Sequence, residues 1–158
     1  MQKDTQKLVR TARQLLEGKP RGLVAVRPDD SVLAALRVMA ERDIGAVLVM
    51  DGGRLLGIFT ERDHARRVDL QGKTAASTAV REVMTEKIVF VRLTETVDHC
   101  VALMKRMRLR HLPVMDGDSV VGVLSSRDVL EQLISDEEQL IRELQQDRLY
   151  FTTTAGYY

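Results

Sequence analysis

GIFTERD at residues 57–63 and GVLSSRD at residues 122–128 are nearly the same heptad, repeated at a separation of 65 residues. The similarity extends around both heptads, because residues 24–63 and 89–128 align without a gap and share twelve identical positions out of forty. Many of the remaining pairs are apolar in both copies. A fixed internal period is typical of a duplicated structural unit, so the chain is predicted to contain two copies of one fold.

Each copy shows the same succession of patterns. A short apolar run, LVAV (23–26) or IVFV (88–91), predicts a strand, and the next segment spaces its apolar residues as an amphipathic helix does. Two apolar runs joined by Asp-Gly then predict a tight hairpin, directly followed by a second helix. The fold class is therefore predicted as α+β, with two βαββα copies. The first-helix stripes are Val32, Ala35, Leu36 and Met39, and Val97, Cys100, Val101 and Met104.

Copies of this size are predicted to form one module. Roughly forty to sixty residues are marginal for an independent core, so each copy is expected to bury an apolar face against the other in a pseudo-twofold arrangement. The two copies are assigned to residues 18–77 and 78–134. The small and polar residues of QGKTAASTAVR (71–81) are interpreted as the connector between them.

Flanking helices are predicted on both sides of the repeat, within residues 1–17 and 135–158. Apolar residues at helical spacing predict a helix over 4–17. A second helix over 135–150 is predicted to begin at the capping-box sequence Ser135-Asp-Glu-Glu138, and the final TTTAGYY is expected to be loose. Such helices usually pack on the body or on a partner subunit. The apolar residues of the N-terminal helix are Leu8, Val9, Ala12, Leu15 and Leu16.

The composition argues against several functional classes. The 158 residues include 24 Lys and Arg against 23 Asp and Glu, and a net charge of +1 gives no global electrostatic case for nucleic acid or for a membrane surface. No apolar run approaches the roughly 18 residues of a membrane span, and the N-terminus lacks the apolar stretch of a signal peptide. The single cysteine fits a reducing compartment, so a cytoplasmic location is predicted.

The repeated heptad has a purely structural interpretation. Thr60 with Asp63, and Ser125 with Asp128, have the spacing of a helix N-terminal cap, in which a hydroxyl and a carboxylate bind backbone amides. In this interpretation the protein is a structural or interaction scaffold, and the two motifs only cap helices.

The same residues also suit a sugar phosphate. Amides at a helix N-terminus carry partial positive charge, and Arg62 and Arg127 add fixed charge with bidentate geometry. A carboxylate one turn further, Asp63 or Asp128, is able to accept hydrogen bonds from the neighbouring hydroxyls of a ribose. A hydroxyl, an arginine and a carboxylate at one helix start therefore indicate a nucleotide.

The duplicated segments resemble a tandem pair of cystathionine-beta-synthase (CBS) domains, often called a Bateman module. The resemblance covers about residues 18–134 and rests on PDDSVLAALRVM, DIGAVLVMDGGRLLGIFTERD and RLRHLPVMDGDSVVGVLSSRD. It implies βαββα copies whose interface holds two clefts for adenosine-containing ligands. In each cleft Thr60 or Ser125 is expected to face phosphate, and Asp63 or Asp128 to hold the ribose.

The resemblance also implies that each adenine is held by the opposite copy. Members of the family often have proline at the position of Pro113, whereas the first copy has Leu48, so a reshaped cleft and unequal occupancy are expected. The expected contacts of the Asp63 cleft are Lys87, Ile88, Arg110, His111, Leu112 and Pro113. Those of the Asp128 cleft are Gly22, Leu23, Ile44, Gly45, Ala46 and Val47.

These expectations define a regulatory module and not an enzyme. No serine lies in a nucleophile elbow, Cys100 falls on an apolar stripe, and no residues have zinc-ligand spacing. The expected ligand is AMP, ADP, ATP or NAD, with S-adenosylmethionine ranked behind them, and no structural metal is expected. Binding is expected to change the geometry of a homodimer and to report energy or redox state to an unidentified protein target. Nucleotide hydrolysis in the cleft is a third, weaker alternative.

Overall fold

The computed structural model of the chain describes residues 10–19 and 22–154, the last eight of them by their backbone alone. Two three-stranded sheets with flanking helices confirm the predicted α+β class. The helices are α1 (Ala12–Glu17), α2 (Val32–Arg42), α3 (Glu61–Asp63), α4 (Val97–Met107) and α5 (Ser126–Thr154). The strands are β1 (Ala25–Val26), β2 (Ala46–Asp51), β3 (Arg54–Thr60), β4 (Val91–Arg92), β5 (His111–Asp116) and β6 (Ser119–Ser125).

The two sheets repeat each other in order and in register. In each sheet the first strand pairs in parallel with the second, which forms an antiparallel hairpin with the third. A β-bulge interrupts both hairpins at equivalent points, after Val49 and after Val114. The predicted βαββα order is confirmed. Among the strands, the first one of each copy is shorter than predicted, because β1 and β4 each pair with the central strand of their sheet over two residues.

Each copy has its own hydrophobic core, and each core is completed by the segment that precedes the first strand, β1 or β4, of the other copy. Val80, Val83 and Met84 pack into the core of the first copy, whereas Ala12 and Leu15 pack into the core of the second. Because each core takes in part of the opposite segment, the two copies cannot separate without exposing apolar side chains.

The two completing segments are equivalent to each other at a separation of 68 residues. Thr11 and Ala79 form corresponding β-bridges with the turns before α4 and α2. The Thr11 amide donates to Gln14 Oε1 at 2.9 Å, and the Ala79 amide donates to Glu82 Oε2 at 3.0 Å. The duplication therefore includes these segments. Three more residues separate Thr11 from residue 24, where the gapless alignment starts, than separate Ala79 from residue 89.

The segment predicted as a connector packs against the N-terminus of α2. The Thr78 carbonyl accepts the Val32 amide at 2.8 Å, and the Ala75 carbonyl accepts the Leu33 amide at 2.9 Å. Thr78 itself is 5% exposed. These bonds satisfy amides that a helix start leaves without partners, so the segment is part of the first copy's structure.

The predicted helix start at Ser135 is wrong. α5 runs without interruption from Ser126 to Thr154, so Ser135 lies inside the helix, and the first three residues of TTTAGYY are helical. Nothing between Ser126 and Thr154 is a glycine or proline that would end a helix, and an internal serine costs less than about 0.7 kcal/mol. The cap lies ten residues earlier, where Ser125 Oγ accepts the Asp128 amide at 3.1 Å.

The helices around the first copy also differ in extent from the prediction. α1 begins at Ala12, and Leu8 and Val9 lie outside the described residues. After α3 the chain continues in a π-helical turn at His64–Val68 and a 3-10 turn at Asp69–Gln71. None of the helices in residues 10–19 and 22–154 combines the length and apolar character needed to cross a bilayer.

Candidate functional site

The Asp63 carboxylate is enclosed by hydrogen bonds. The Thr60 amide and hydroxyl each donate to Oδ2 at 3.0 Å, and the Thr85 hydroxyl donates to Oδ1 at 3.1 Å. Arg67 Nε lies 3.7 Å from Oδ1, and Asp63 is 8% exposed. Both carboxylate oxygens and the Thr60 hydroxyl proton are thus used within the protein, and the Asp63 amide closes the cap by donating to Thr60 Oγ1 at 3.2 Å.

Thr85 reaches Asp63 because its segment lies along the free edge of β3. Ile58 and Thr85 exchange two backbone hydrogen bonds, of 3.0 and 2.8 Å. Gly57 permits this approach, since a Cβ there would lie 2.7 Å from Met84 Sδ and 2.9 Å from the Thr85 carbonyl oxygen. The glycine of the first heptad is therefore required by the backbone that covers it.

The Asp128 carboxylate is bound differently. Oδ2 accepts Lys19 Nζ at 2.6 Å and the Ser125 amide at 2.7 Å, whereas Oδ1 accepts no hydrogen bond from the described part of the chain. The Ser125 hydroxyl accepts the Asp128 amide, and its hydrogen bond to the Asp128 carboxylate helps to lower the pKa of Asp128. The Asp128 side chain is 20% exposed, against 10% for Asp63. The second motif thus keeps one acceptor, Asp128 Oδ1, whose counterpart in the first motif is used.

Asp128 is an anion at neutral pH. Burial disfavours its charged form, but hydrogen bonds from Lys19 and from the Ser125 amide outweigh that effect and lower the pKa of Asp128. The ion pair with Lys19 balances the charge of Asp128.

A cavity of about 200 Å³ lies beside Asp128, between α1 and α5. Pockets that enclose whole small ligands measure roughly 300–1,000 Å³, so this cavity suits one part of a ligand, such as a sugar. The residues that line it are Gln14, Leu15, Gly18, Lys19, Asp128, Glu131 and Gln132.

The N-terminal segment is bound to one face of α5 at two points. Asp128, Gln132 and Asp136 follow each other at intervals of four residues, which places them on the same side of the helix. Lys19 binds Asp128 at one end of this face, and Arg10 Nε donates to Asp136 Oδ1 at 2.8 Å at the other. The Gln132 amide donates to the same Asp136 oxygen at 2.8 Å. The segment from residue 10 to residue 19 therefore forms one wall of the Asp128 cleft.

Three predicted site residues, Gly45, Arg62 and His111, lie at the contact between the copies. A Cβ on Gly45 would lie 3.4 Å from His111 Cε1 and 3.4 Å from Glu61 Oε2. Arg62 Nη1 donates to the Arg108 carbonyl at 3.0 Å, so the arginine of the first motif binds the C-terminus of α4 in the second copy.

His111 is held in its neutral form. Burial lowers the pKa of His111, although the carboxylates of Asp128 and Glu61 favour the charged ring, and Lys19 and Arg110 act in the same direction as burial. A neutral imidazole at the seam is able to donate one hydrogen bond and to accept another.

The other predicted contacts fall into three groups, and their contact with a ligand stays a prediction. None of the first-copy residues expected at Asp128 lines the cavity beside it. Buried in β2 or β5 are Ala46, Val47, Leu112 and Pro113. Half-buried are Ile44 and Ile88. Exposed are Gly22, Leu23, Lys87, Arg110 and Arg127.

Sequence reasoning missed Lys19 and Thr85, which bind the aspartates from segments distant in sequence. Both lie just before the segments that align without a gap. A signal was present in the chain: at the 68-residue separation Leu16 aligns with Met84, and these two side chains cover the glycines of the two heptads. A comparison allowing a three-residue gap would have found it.

Cys100 is a core thiol, as predicted from its place on the apolar stripe. It is fully buried in the second core, and burial, followed by the charge of Glu95, raises its pKa. Within the described residues no group of three or more His, Cys, Asp or Glu side chains is arranged to hold a metal ion.

Comparison with known proteins agrees with this architecture. The family model "CBS domain" matches residues 20–63 and 80–135. The chain is 33% identical to the mitochondrial CBS domain-containing protein CBSX3 of Arabidopsis thaliana, over 73% of this chain and 59% of that protein. It is 30% identical to the CBS domain-containing protein YhcV of Bacillus subtilis (strain 168), over 73% of this chain and 81% of that protein.

A solved structure with CBS domains from Burkholderia ambifaria MC40-6 superposes with a TM-score of 0.77 at 43% identity, covering 80% of this chain and 95% of that one. The chain thus spans about three fifths of the Arabidopsis relative and nearly the whole of this structural neighbour. With both copies matched over more than half of its length, the chain belongs to the CBS-domain family and contains one tandem pair of CBS domains.

Proposed function

We propose that this CBS pair is a regulatory module that binds an adenosine nucleotide in the cleft of Asp128. The observation that carries the proposal is an unused acceptor: Asp128 Oδ1 accepts no hydrogen bond from the described chain, and Asp128 lines a cavity of about 200 Å³. A ribose hydroxyl donates to Oδ1 in the proposed complex. The adjoining phosphate lies beside Ser125 at the positive start of α5 and accepts from the Arg127 amide, because the Ser126 amide donates to the Arg110 carbonyl and the Asp128 amide donates to Ser125 Oγ.

The proposed ligands are AMP, ADP, ATP and NAD, so that the module reports energy or redox state. A ligand shifts a conformational equilibrium only through its different affinity for the two states. Lys19 gives the cleft such a difference, because its bond to Asp128 holds the end of the N-terminal segment against α5. A ligand that engages Asp128 changes this contact, and Arg10 and Gln132 link the same segment to the continuation of α5. The cytoplasmic location stays a prediction from the single cysteine.

We propose a structural role for the first motif. Asp63 accepts three hydrogen bonds through its two oxygens, and the Thr60 hydroxyl proton is used as well. This arrangement also favours a second candidate function, a scaffold in which both motifs only cap helices. The two candidates differ at Asp128.

Calorimetric titration of the purified chain with AMP, ADP, ATP and NAD distinguishes them. At least one nucleotide is expected to bind, and Asp128→Asn is expected to weaken it more than ten-fold, because a hydrogen bond to a charged group contributes about 1.5–3 kcal/mol. Asp136→Asn is the matched control: it loses an ion pair between the same two segments but lies outside the cavity. Failure of all four nucleotides to bind, or binding indifferent to Asp128→Asn, favours the scaffold. A product assay with ATP and magnesium separates binding from hydrolysis.

We also propose that the module acts as a homodimer through α5. An apolar stripe along this helix is exposed in the single chain, and its members are three and four residues apart within 130–134 and 140–144, two groups related by the seven-residue spacing of a helix–helix seam. Pairing with a second copy removes this stripe from water and supplies the geometry that a ligand is able to change. The stripe consists of Leu130, Leu133, Ile134, Leu140, Ile141 and Leu144.

A further inference from the structure

The Lys19 ammonium is held between two acceptors and keeps one donor. Nζ donates to Asp128 Oδ2 at 2.6 Å and to the Val123 carbonyl at 2.9 Å. An ammonium has three N–H donors, and the third finds no acceptor in residues 10–19 and 22–146. Lys19 also lines the cavity beside Asp128 and is half-buried. A fixed cation with one unused donor therefore stands at the wall of that cavity.

The groups next to this ammonium define what it is able to recognise. Asp128 Oδ1 is an acceptor for a sugar hydroxyl, and the Lys19 ammonium beside it is a charged donor. An acceptor next to a cationic donor matches a sugar hydroxyl that neighbours an anionic oxygen. The remaining donor of Lys19 makes a charge-assisted bond to a phosphate, and the ammonium repels a cationic substituent.

The first copy lacks this cation at its aspartate. Asp63 is contacted there by the hydroxyl of Thr85, and Lys87, which corresponds to Lys19 at the 68-residue separation, is exposed. The difference follows from the sequence of the two preceding segments, so the selection is a property of the Asp128 cleft alone.

We propose that Lys19 is the specificity-determining residue of the Asp128 cleft, where it selects nucleosides that carry a phosphate on the ribose over adenosine and over S-adenosylmethionine. The inference rests on the proposed function, because it names the ligand class of the same cleft. Lys19 contacts Asp128 through Oδ2 and not through Oδ1, so ribose recognition and phosphate recognition reside in different atoms. The two are separable by substitution.

Titration calorimetry with AMP, adenosine and S-adenosylmethionine tests the proposal on the full chain. The wild-type protein is expected to bind AMP at least ten-fold more tightly than adenosine, the factor that one charge-assisted bond supplies at roughly its lower limit. Lys19→Gln is expected to lower the AMP-to-adenosine ratio about ten-fold or more, mainly by weakening AMP. Lys19→Arg, which keeps the charge, is expected to restore a preference for AMP. Lys73→Gln removes the same charge from an exposed position and is expected to leave the ratio unchanged.

The outcomes separate the inference from the proposed function. If AMP binding requires Asp128 but Lys19→Gln retains the ratio, or if S-adenosylmethionine binds the wild type more tightly than AMP, Lys19 does not select the ligand. If no adenosine compound binds, the proposed function fails and this inference with it. Thermal unfolding of Lys19→Gln reports whether the variant folds. If Lys19→Gln does not fold, titration of the wild type at increasing salt concentration still tests the proposal. A preference for AMP that depends on the ammonium must shrink as salt is raised, so an unchanged AMP-to-adenosine ratio overturns the proposal.

Discussion

Lys19 Nζ lies 2.6 Å from Asp128 Oδ2, so a residue that precedes the first CBS copy binds the helix start of the second. Apolar contacts join the same two parts of the chain, because Ala12 and Leu15 lie in the core of the second copy. The N-terminal segment is therefore a structural part of the second CBS domain, and its substitution is expected to destabilise that domain.

Leu15→Ala tests this assignment. Leu15 is 6% exposed, and truncating a buried leucine typically costs about 2–5 kcal/mol through lost burial and a residual cavity. The free energy of unfolding measured with urea is expected to fall by this amount. Glu17→Ala, on the exposed side of the same helix, is expected to change it by less than about 0.5 kcal/mol. Equal stability of the Leu15→Ala variant and the wild type would show that α1 does not belong to the core.

The two heptad glycines are expected to differ in their response to alanine. At Gly57 a Cβ would lie 2.9 Å from a backbone oxygen of Thr85, and the segment that contains Thr85 has to move. At Gly122 the nearest atom, at 2.7 Å, is the end of the flexible Leu16 side chain, which turns away more cheaply. Gly57→Ala should therefore lower the free energy of unfolding by about 1–3 kcal/mol, the usual cost of overpacking.

Gly122→Ala should lower the same free energy by less than about 1 kcal/mol, since alanine also reduces the entropy of the unfolded chain. Each variant serves as the control for the other, because both change the same residue of the same motif. A larger loss for Gly122→Ala than for Gly57→Ala would contradict the contacts described here.

The features that recurred in the chain were the ones that sequence reasoning predicted well. The repeated heptad and the Asp-Gly turns depend on short-range requirements for a glycine, a hydroxyl and an acid, so their recurrence located the strands and the hairpins. The helix start at Ser135 was wrong because a local capping pattern competes with a helix already under way from Ser126, and elongation is easier than nucleation.

The candidate site was predictable only in part. Thr60, Asp63, Ser125 and Asp128 lie at helix starts, as their spacing indicated. The difference between the two carboxylates was not predictable, because it depends on contacts between segments that are distant in sequence. Lys19 reaches Asp128 across 109 residues, and no local pattern encodes that pairing.

Stability is expected to fall as the pH drops below the ordinary pKa of histidine, because of His111. Burial lowers the pKa of His111 from 6.5 in the folded state, so the unfolded chain takes up its proton first. The resulting stability is complete above pH 6.5 and is lost progressively below it, until the folded pKa is reached. Urea unfolding of the wild type between pH 7.5 and about 5 should show this loss.

His111→Gln is expected to remove that part of the pH dependence, whereas the exposed His99→Gln should retain it. The groups that act on the ring are Asp128, Glu61, Lys19 and Arg110. A His111→Gln variant with the same pH profile as the wild type would show that other groups are responsible.

A charge on the apolar stripe of α5 is expected to dissociate the proposed dimer. Leu140 is 43% exposed in the single chain, and a glutamate there would be buried without a partner in a helix–helix contact. Light scattering coupled to size-exclusion chromatography should give the mass of a dimer for the wild type and of a monomer for Leu140→Glu. Gln139→Glu adds the same charge at the adjacent exposed position and should remain a dimer. A monomeric wild type would contradict the proposed assembly.

Thr85 is expected to support the stability of the chain without taking part in ligand binding. Its hydroxyl donates to Asp63 Oδ1 at 3.1 Å, and losing a hydrogen bond to a buried carboxylate costs about 1.5–3 kcal/mol, so Thr85→Val should reduce the free energy of unfolding by that amount. Because Asp63 is closed by its own contacts, calorimetry is expected to give one nucleotide per chain for the wild type and an unchanged affinity for Thr85→Val. The exposed Thr94→Val is the control for stability. Two nucleotides per chain in the wild type, one of them lost in Asp63→Asn, would show that the first cleft opens for a ligand despite the bonds that enclose its carboxylate.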